Sequence, residues 1–238
     1  MRLTIAGASH NGKQREHNED AYGFDVQRGV AVVADGMGGF ESGEAASRTA
    51  IEALLAAAKA GLPLDAAFRD AHDQVRRLAE SKSGEKVGST AVAAVVVGGT
   101  LHVGWAGDSR AYRLRNGKLE RLTHDHSLVG ELVRHGVITE ADARMHPNRN
   151  VVTRGLGIAM KDRARDEGPA ETLLLPLESG DRLLLCTDGL HGFLPESAIA
   201  EELANDATAE VPRQLIARTL RETEAGDNVT AVVMSWSA

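Results

Sequence analysis

The stretch that decides the fold is VAVVADGMGGFESGEAAS, from Val30 to Ser47. Its apolar, β-branched start, Val30 to Ala34, is typical of a buried strand. Asp35-Gly36 follows directly and places a carboxylate at the rim of a sheet, where the backbone can bend closely around a bound group. The alanine-rich segment that comes next has helical spacing. We therefore expect a strand, a turn that carries Asp35, and then a helix.

The same arrangement recurs at two remote places. An apolar run ends in Asp188-Gly189, and Asp227-Asn228 stands immediately before another apolar run. A single aspartate beside a strand is usually a turn former, but three matched occurrences indicate one oxygen-rich site that folding assembles. Carboxylate and carbonyl oxygens suit Mg²⁺ or Mn²⁺. The scattered histidines and the single Cys186 give no reason to expect a zinc site.

Composition limits the class of protein. The chain has 238 residues, of which 42% are hydrophobic and 26% charged, and its net charge is −7. These values are ordinary for a globular domain, and the acidic balance argues against nucleic acid as a partner. The N-terminus has no signal-like apolar segment, and glycines interrupt the uncharged stretch from Val87 to Gly107. We expect a cytoplasmic monomer with no membrane partner.

Strands and helices occur in blocks. Two helical patterns, Gly43 to Ala60 and Leu64 to Glu80, follow the first strands, and then strand patterns dominate. Gly98-Gly99 and Asn116-Gly117 are hairpin signals between pairs of those strands. Blocks of this kind favour an α+β fold with antiparallel sheets and helices packed outside them. The segment from His126 to Asn150, rich in His, Arg and Asn, is predicted to be a mobile insertion at a sheet edge.

Six short motifs carry a family resemblance. In order they are REHNED at Arg15 to Asp20, ADGMGG at Ala34 to Gly39, GST at Gly88 to Thr90, GDSR at Gly107 to Arg110, CTDG at Cys186 to Gly189 and GDN at Gly226 to Asn228. Each alone says little, but the ordered set closely resembles the PPM/PP2C-type protein serine/threonine phosphatases, in their compact bacterial branch. The resemblance covers nearly the whole chain and implies a single phosphatase domain over residues 1–238.

The resemblance implies a four-layer α-β-β-α sandwich, in which two antiparallel sheets are flanked by helix pairs. The metals would lie in a cleft at one end, bordered by a flap from about His126 to Arg165. The implied activity is metal-dependent hydrolysis of phosphoserine and phosphothreonine in proteins by direct attack of a metal-bridging hydroxide. The implied partners are phosphoproteins, among them a eukaryote-like serine/threonine kinase and its substrates.

The matching motif positions also imply a set of metal ligands for two Mn²⁺ or Mg²⁺ ions. Asp35 would bridge both ions, and the Gly36 carbonyl would bind one of them. Asp188 and Asp227 would bind the first ion, and Asp20 would act on the second through water.

The remaining matched positions have supporting roles. Glu19 would support the shell of the second ion, and Asp108 matches the position that holds a third metal in bacterial members. Arg15 matches the arginine that grips the substrate phosphate, which its bidentate fork suits. Asn228 would position Asp227 by hydrogen bonding.

One position departs from the animal members of the family, which carry a histidine general acid where this chain has Met37. The proton for the leaving alkoxide must then come from elsewhere. His17, His124, His126 and His146 are candidates by sequence alone, although a surface or structural role is the ordinary one for each.

Two other function classes have some support in the sequence. A non-catalytic module of the same fold could bind phosphoproteins, although it would have no need of intact carboxylates. Gly107 to Ala111 nearly matches the G-x-S-x-G elbow of serine hydrolases, but it lacks the last glycine and a strand pattern follows.

Overall fold

The structure is a computed structural model that describes residues 2–82, 86–158, 168–205 and 207–237. Its strands are β1 (Arg2–His10), β2 (Asp20–Asp25), β3 (Val30–Met37), β4 (Gly88–Ser89), β5 (Ala91–Val97), β6 (Thr100–Ala106), β7 (Arg110–Arg115), β8 (Lys118–Arg121), β9 (Glu171–Pro176), β10 (Arg182–Cys186) and β11 (Val229–Ser237). Its helices are α1 (Phe40–Lys59), α2 (Leu64–Ser81), α3 (Leu128–Arg134), α4 (Glu140–Met145), α5 (Asp188–His191), α6 (Glu196–Leu203) and α7 (Val211–Glu222).

The strands form two antiparallel sheets. One sheet has the order β1-β11-β10-β7-β8, and the other has the order β2-β3-β5-β6-β9, with the short β4 paired to β3. Strand β11 is the last in the chain, yet it lies between β1 and β10 and pairs with both. The chain therefore brings its two ends together inside one sheet.

Three apolar clusters define four layers. The helices α1 and α2 pack on the outer face of the second sheet, and α6 and α7 pack on the outer face of the first. The third cluster fills the space between the sheets. Alternate residues of β3 serve two clusters, because Val32 faces the helices while Val33 faces the other sheet. Burial on both faces explains why the central strands read as continuous apolar runs.

The predicted α+β sandwich is therefore confirmed, and so are both hairpins. Gly98-Gly99 joins β5 to β6, and Asn116-Gly117 joins β7 to β8. Asn116 and Gly117 have φ values of 51° and 75°, as a two-residue hairpin turn requires.

Several predicted boundaries were wrong. Asp35 does not follow its strand but lies inside it, because Gly36 and Met37 pair with Ser89 and Gly88 and so extend β3 past the aspartate. The two-residue strand β4 is too short to show a periodic pattern, as is the helical turn α5 that carries Asp188.

Two further boundaries differ at the ends of elements. Helix α1 begins at Phe40 rather than Gly43, because the polar residues of its first turn lack the apolar spacing that the prediction used. The second strand, which the sequence predicts from Ala21 to Arg28, is observed as β2 over Asp20–Asp25, since the Asp25 side chain accepts the Arg28 N–H and closes a turn.

The flap carries α3 and α4 and is closed at its base. Leu128 N–H donates to the Val151 carbonyl, and Thr153 N–H donates to the His126 carbonyl. The predicted flap runs to Arg165, and its part from 159 to 165 lies outside the described residues. Its mobility stays a prediction. No described helix is both long and apolar enough to cross a membrane.

Phe68 of α2 is a large side chain that packs the helix pair α1 and α2 against the second sheet. It is fully buried, and its ring lies so close to Gly104 of β6 that an added Cβ there would be 2.8 Å from it. We predict that Phe68→Ala lowers the free energy of unfolding by about 3–5 kcal/mol, because it leaves a cavity under α2. Urea unfolding measures the change. Val97→Ala, at an exposed position of the same sheet, should cost less than about 0.5 kcal/mol, and equal losses in the two variants would contradict this packing.

Candidate metal centre

Asp20 and Asp35 face each other across neighbouring strands. They are register partners in β2 and β3. The backbone of Asp35 is held by the GST motif, since its N–H donates to Thr90 Oγ1 at 3.1 Å and its carbonyl accepts from Ser89 Oγ at 3.0 Å and Thr90 N at 2.8 Å. The motif that the sequence singled out thus fixes the orientation of Asp35 without touching its carboxylate.

The other sheet contributes Asp188 and Asp227 to the same place. Thr187 Oγ1 donates to Asp20 Oδ2 at 2.9 Å, which ties the end of β10 to the start of β2. Gly189 packs against the backbone at the start of β11, where a Cβ would be 1.9 Å from the Asn228 carbonyl oxygen. Only glycine permits this approach, which brings Asp188 next to Asp227.

Gly36 is a second close approach, this time to the N-terminal turn of α1. A Cβ at Gly36 would lie 2.0 Å from the Gly43 carbonyl oxygen, and its N–H donates to the Glu19 carbonyl at 3.1 Å. A Cβ at Gly43 would in turn lie 1.9 Å from Glu19 Oε2. The Glu19 side chain therefore lies against the first turn of α1, beside the carboxylates.

The carboxylates are close enough to repel one another. Burial, together with the charges of Asp188 and Asp227, raises the pKa of Asp20 to about 7. Burial and the charge of Asp227 raise the pKa of Asp188 to about 6. The pKa of Asp35 is raised well above its ordinary value by burial and then by Asp20, Asp188, Asp108 and Asp227. The structure therefore brings the carboxylates of Asp20, Asp35, Asp108, Asp188 and Asp227 close enough to influence one another.

This environment fits a divalent cation. Asp20 Oδ1 is a buried oxygen that has no hydrogen-bond partner among the described residues. An orphaned carboxylate oxygen among like charges is costly unless a cation lies against it. The donor set consists of hard oxygens, as Mg²⁺ and Mn²⁺ prefer.

Asp108 lies in the turn between β6 and β7. It is buried, and burial and the charges of Asp188 and Asp125 raise its pKa well above the ordinary value. Its carbonyl accepts a hydrogen bond from His191 Nε2 at 2.9 Å. Burial and the nearby charge of Arg110 lower the pKa of His191 to about 3, which keeps the ring neutral.

Arg110 and Asp125 form a buried ion pair beside this turn that sequence reasoning missed. Arg110 Nε and Nη2 donate to the two carboxylate oxygens at 2.8 and 2.6 Å, and Nη1 donates to Tyr112 Oη at 3.0 Å. The next residue to Asp108, Ser109, is buried and hydrogen bonds to Thr90 Oγ1 at 2.8 Å. A buried hydroxyl held in this way does not serve as a serine-hydrolase nucleophile.

Arg15 lies at the mouth of the site. Its Nε is 3.0 Å from Asp227 Oδ1 and its Nη2 is 3.1 Å from Asp227 Oδ2, while 52% of its side chain is exposed. The Asp227 carboxylate raises the pKa of the guanidinium. The arginine therefore faces a carboxylate of the cluster and also solvent.

The Asn228 side chain holds the loop between β1 and β2 at three points. Its Oδ1 accepts the Glu19 N–H at 2.8 Å, and its Nδ2 donates to the carbonyls of Asn11 at 3.0 Å and His17 at 2.8 Å. Its own N–H donates to Asp227 Oδ1 at 2.9 Å. The side chain thus holds the loop before β2, and the backbone N–H orients the Asp227 carboxylate.

The candidate histidines separate into different environments. His146 accepts the Asn148 N–H within the flap, and the His17 carbonyl accepts from Asn228. His124 and His126 converge on Glu171 of β9, with Nε2 to Oε1 distances of 3.2 and 3.1 Å, and their ligand atoms lie within 4.8 Å of one another. Sequence reasoning missed this group because Glu171 is remote from both histidines.

Hydrogen-bond geometry argues that the histidine group is not a metal site. Gly107 N–H donates to His126 Nδ1 at 3.3 Å, so the ring proton is on Nε2 and points at Glu171. A nitrogen that carries a proton offers no lone pair to a metal. Arg154 Nη1 is 3.4 Å from the same Glu171 oxygen and adds a positive charge. The group is better described as a hub that attaches the base of the flap to β9.

A cleft of about 610 Å³ opens over the carboxylates. Its floor includes Asp108, Asp188 and Asp227, Arg15 stands at its edge, and side chains of α3 and α4 form the opposite wall. A carboxylate cluster of this kind at one end of a two-sheet sandwich defines a candidate metal-dependent hydrolase.

Comparison with known proteins identifies the family. The family model described as Protein phosphatase 2C matches residues 6–232, and the chain belongs to that family. The chain is 33% identical to the serine/threonine phosphatase stp of Listeria innocua serovar 6a, over 94% of this chain and 92% of the relative. It is 35% identical to the serine/threonine protein phosphatase PstP of Mycobacterium tuberculosis, over 97% of this chain and 44% of that longer protein.

Solved structures give the same answer. The crystal structure of the Mycobacterium tuberculosis serine/threonine phosphatase PstP/Ppp matches with a TM-score of 0.87 and 34% identity, over 99% of both chains. A structure of the catalytic domain of PstP in complex with two manganese ions matches with a TM-score of 0.86 and 32% identity, over 99% of both chains. The family and fold predicted from the motifs are confirmed.

We predict that Asn228→Asp destabilises the protein by about 1–3 kcal/mol. The new carboxylate can still accept the Glu19 N–H, but it cannot donate to the Asn11 and His17 carbonyls, which would then face a negative charge. Urea unfolding measures the loss. Asn148→Asp, at an exposed position of the flap, is the matched control. Equal stability of the two variants would show that the loop does not depend on the Asn228 amide.

Proposed function

We propose that this chain removes phosphate from phosphoserine and phosphothreonine side chains of proteins by metal-dependent hydrolysis. The observation that carries the proposal is the convergence of Asp20, Asp35, Asp188 and Asp227 beside an open cleft that Asp188 and Asp227 line, with an orphaned carboxylate oxygen on Asp20. Family membership and the likeness to serine/threonine phosphatases support it.

The residues that would hold two Mn²⁺ or Mg²⁺ ions are the carboxylates of Asp35, Asp188, Asp227 and Asp20, and the Gly36 carbonyl. Divalent cations bound there supply Lewis acidity, which lowers the pKa of a coordinated water and offsets the charge that develops on the phosphoryl oxygens. Asp35 lies within reach of the charges of Asp20, Asp188, Asp108 and Asp227, all of which raise its pKa. This position supports its proposed role as the shared ligand.

Two residues complete the proposed metal centre. Asp108 would take part in a third cation site, which its burial beside Asp188 supports. Glu19 would support the shell near Asp20, and its contact with the first turn of α1 agrees with that place. Asn228 would act indirectly by orienting Asp227.

Arg15 would bind the phosphate group of the substrate. In the structure its Nε and one N–H of Nη2 are directed at Asp227, which leaves Nη1 and the other Nη2 proton for a ligand. An arginine at the edge of the cleft can therefore bridge a carboxylate of the cluster and a phosphoryl oxygen.

The reaction reverses that of serine/threonine kinases. We therefore propose that the physiological substrates are phosphoproteins, including a serine/threonine kinase and the proteins that it phosphorylates. This part of the proposal rests on the chemistry of the reaction and on the names of the relatives.

Turnover of p-nitrophenyl phosphate and a phosphothreonine peptide, with Mn²⁺ and with chelator, tests the activity. We predict that Asp35→Asn lowers Mn²⁺-dependent turnover by at least about a hundred-fold, because the central ligand is lost. The same variant should raise the melting temperature of the chelator-treated protein, since one repelling charge is removed, and should abolish stabilisation by Mn²⁺.

Asp73→Asn, on the exposed side of α2, is the matched control and should change none of these values. Wild-type turnover in Asp35→Asn would contradict the shared-ligand role. Absence of metal-dependent hydrolysis by the wild-type protein from pH 6 to 9 would favour the alternative, a non-catalytic phosphoprotein-binding module.

We predict that Arg15→Ala raises KM for a phosphopeptide about ten-fold with a smaller effect on kcat, because a phosphate grip is a binding contact. Mn²⁺ affinity should not fall, since the variant frees Asp227 from its competing cation. Steady-state kinetics and calorimetry measure the two quantities. Arg28→Ala, in the turn after β2, serves as the control. Unchanged KM in Arg15→Ala would refute the phosphate role.

A further inference from the structure

The arginines that line the cleft fall into two groups. Four of them are satisfied by a carboxylate. These ion pairs are Arg15 with Asp227, Arg110 with Asp125, Arg121 with Glu140 and Arg134 with Glu131. The second group is Arg144 and Arg149, for which the described part of the chain offers no side-chain hydrogen bond or ion pair.

Arg144 and Arg149 occupy one wall of the cleft. Arg144 lies in the last turn of α4, and Arg149 lies in the loop that follows. Both side chains are exposed. Arg144 also borders a second cavity of about 420 Å³, which is lined as well by Arg110, Arg121, Glu140 and Glu196.

The unpaired charges of the cleft are therefore separated. Among the described residues, the unpaired cations lie on the flap wall, whereas the unpaired carboxylates lie elsewhere: Asp108 and Asp188 on the floor, where the cations of the metal centre would bind, and Glu224 close in sequence to Gly226 and Asp227. Part of the wall between them is apolar, since Val129 and Val133 also line the cleft. A peptide whose phosphorylated residue reached the floor would place neighbouring residues along this wall.

An unpaired arginine in a concave site is suited to an anion, because its planar fork matches carboxylate and phosphate oxygens. We propose that Arg144 and Arg149 form a specificity subsite that binds a second anionic side chain of the substrate phosphoprotein, near the residue that is dephosphorylated. This inference rests on the proposed function and adds a substrate preference to it.

The test compares three peptides that share one phosphothreonine. Its flanking residues are neutral in the first, glutamates in the second, and include a second phosphorylated residue in the third. We expect the wild-type protein to show a kcat/KM about five- to ten-fold higher for the anionic peptides than for the neutral one, through KM. Preference for both anionic peptides would show that charge suffices, and preference for the third alone would identify a phosphate subsite.

The double variant Arg144→Gln/Arg149→Gln should reduce this preference to about one-fold while leaving p-nitrophenyl phosphate turnover and the neutral peptide unchanged. The preference of the wild-type protein should also weaken as salt rises from 50 to 300 mM. The matched control is Arg77→Gln/Arg213→Gln, which makes the same change in net charge on α2 and α7, outside the cleft.

Several results would overturn the inference: a wild-type protein without preference, a preference that survives in the double variant, or an equal loss in the control. Failure of the proposed function would look different, since no substrate would then be hydrolysed with Mn²⁺. In that case, fluorescence anisotropy of the same peptides with wild-type and double-variant protein still decides the matter. Equal affinity for neutral and anionic peptides would refute the subsite, and a preference lost in the double variant would support it.

Discussion

The constraint on which the rest of this structure depends is the mutual repulsion of carboxylates held together at one end of the sandwich. Left alone, Asp20, Asp35, Asp188 and Asp227 would separate and hydrate, since burial and like charges both disfavour their ionised forms. The fold prevents this by attaching each of them to a different rigid element. On our proposal, this arrangement favours cation binding, because the free-energy cost of bringing the carboxylates together is met during folding and a bound cation would offset their repulsion.

The aspartates are held in place mostly by contacts to the backbone around them. Ser89 and Thr90 hold the peptide groups on both sides of the Asp35 side chain, and Asn228 holds the loop that leads to Asp20. Gly36 and Gly189 allow backbone to approach backbone where a Cβ would collide. The Gly, Ser, Thr and Asn residues of the motifs therefore have a packing role, because they hold the backbone around the aspartates. The aspartates themselves contribute negative charge.

The cleft above the cluster is built from a different part of the chain. The flap is closed at its base by backbone hydrogen bonds and by the hub at Glu171, which two histidines and Arg154 contact. The protein thus separates a rigid floor, which lies on the sheets, from a wall of short helices that carries arginines. On our proposals, hydrolysis takes place at the floor of the cleft, and the choice of substrate depends partly on its wall.

The sequence by itself determined the fold class and the family, and it singled out the residues that we propose for the site. Apolar runs, hairpin turns and the ordered motifs depend on local chemistry, which a single chain displays directly. Only the tertiary structure decided which groups meet. It pairs Asp20 with Asp35 and Arg110 with Asp125, gathers the Glu171 hub, and leaves Arg144 and Arg149 without a charged partner among the described residues. Such contacts join residues far apart in the chain, and their geometry depends on how strands pair and layers pack, which residue type and spacing do not specify.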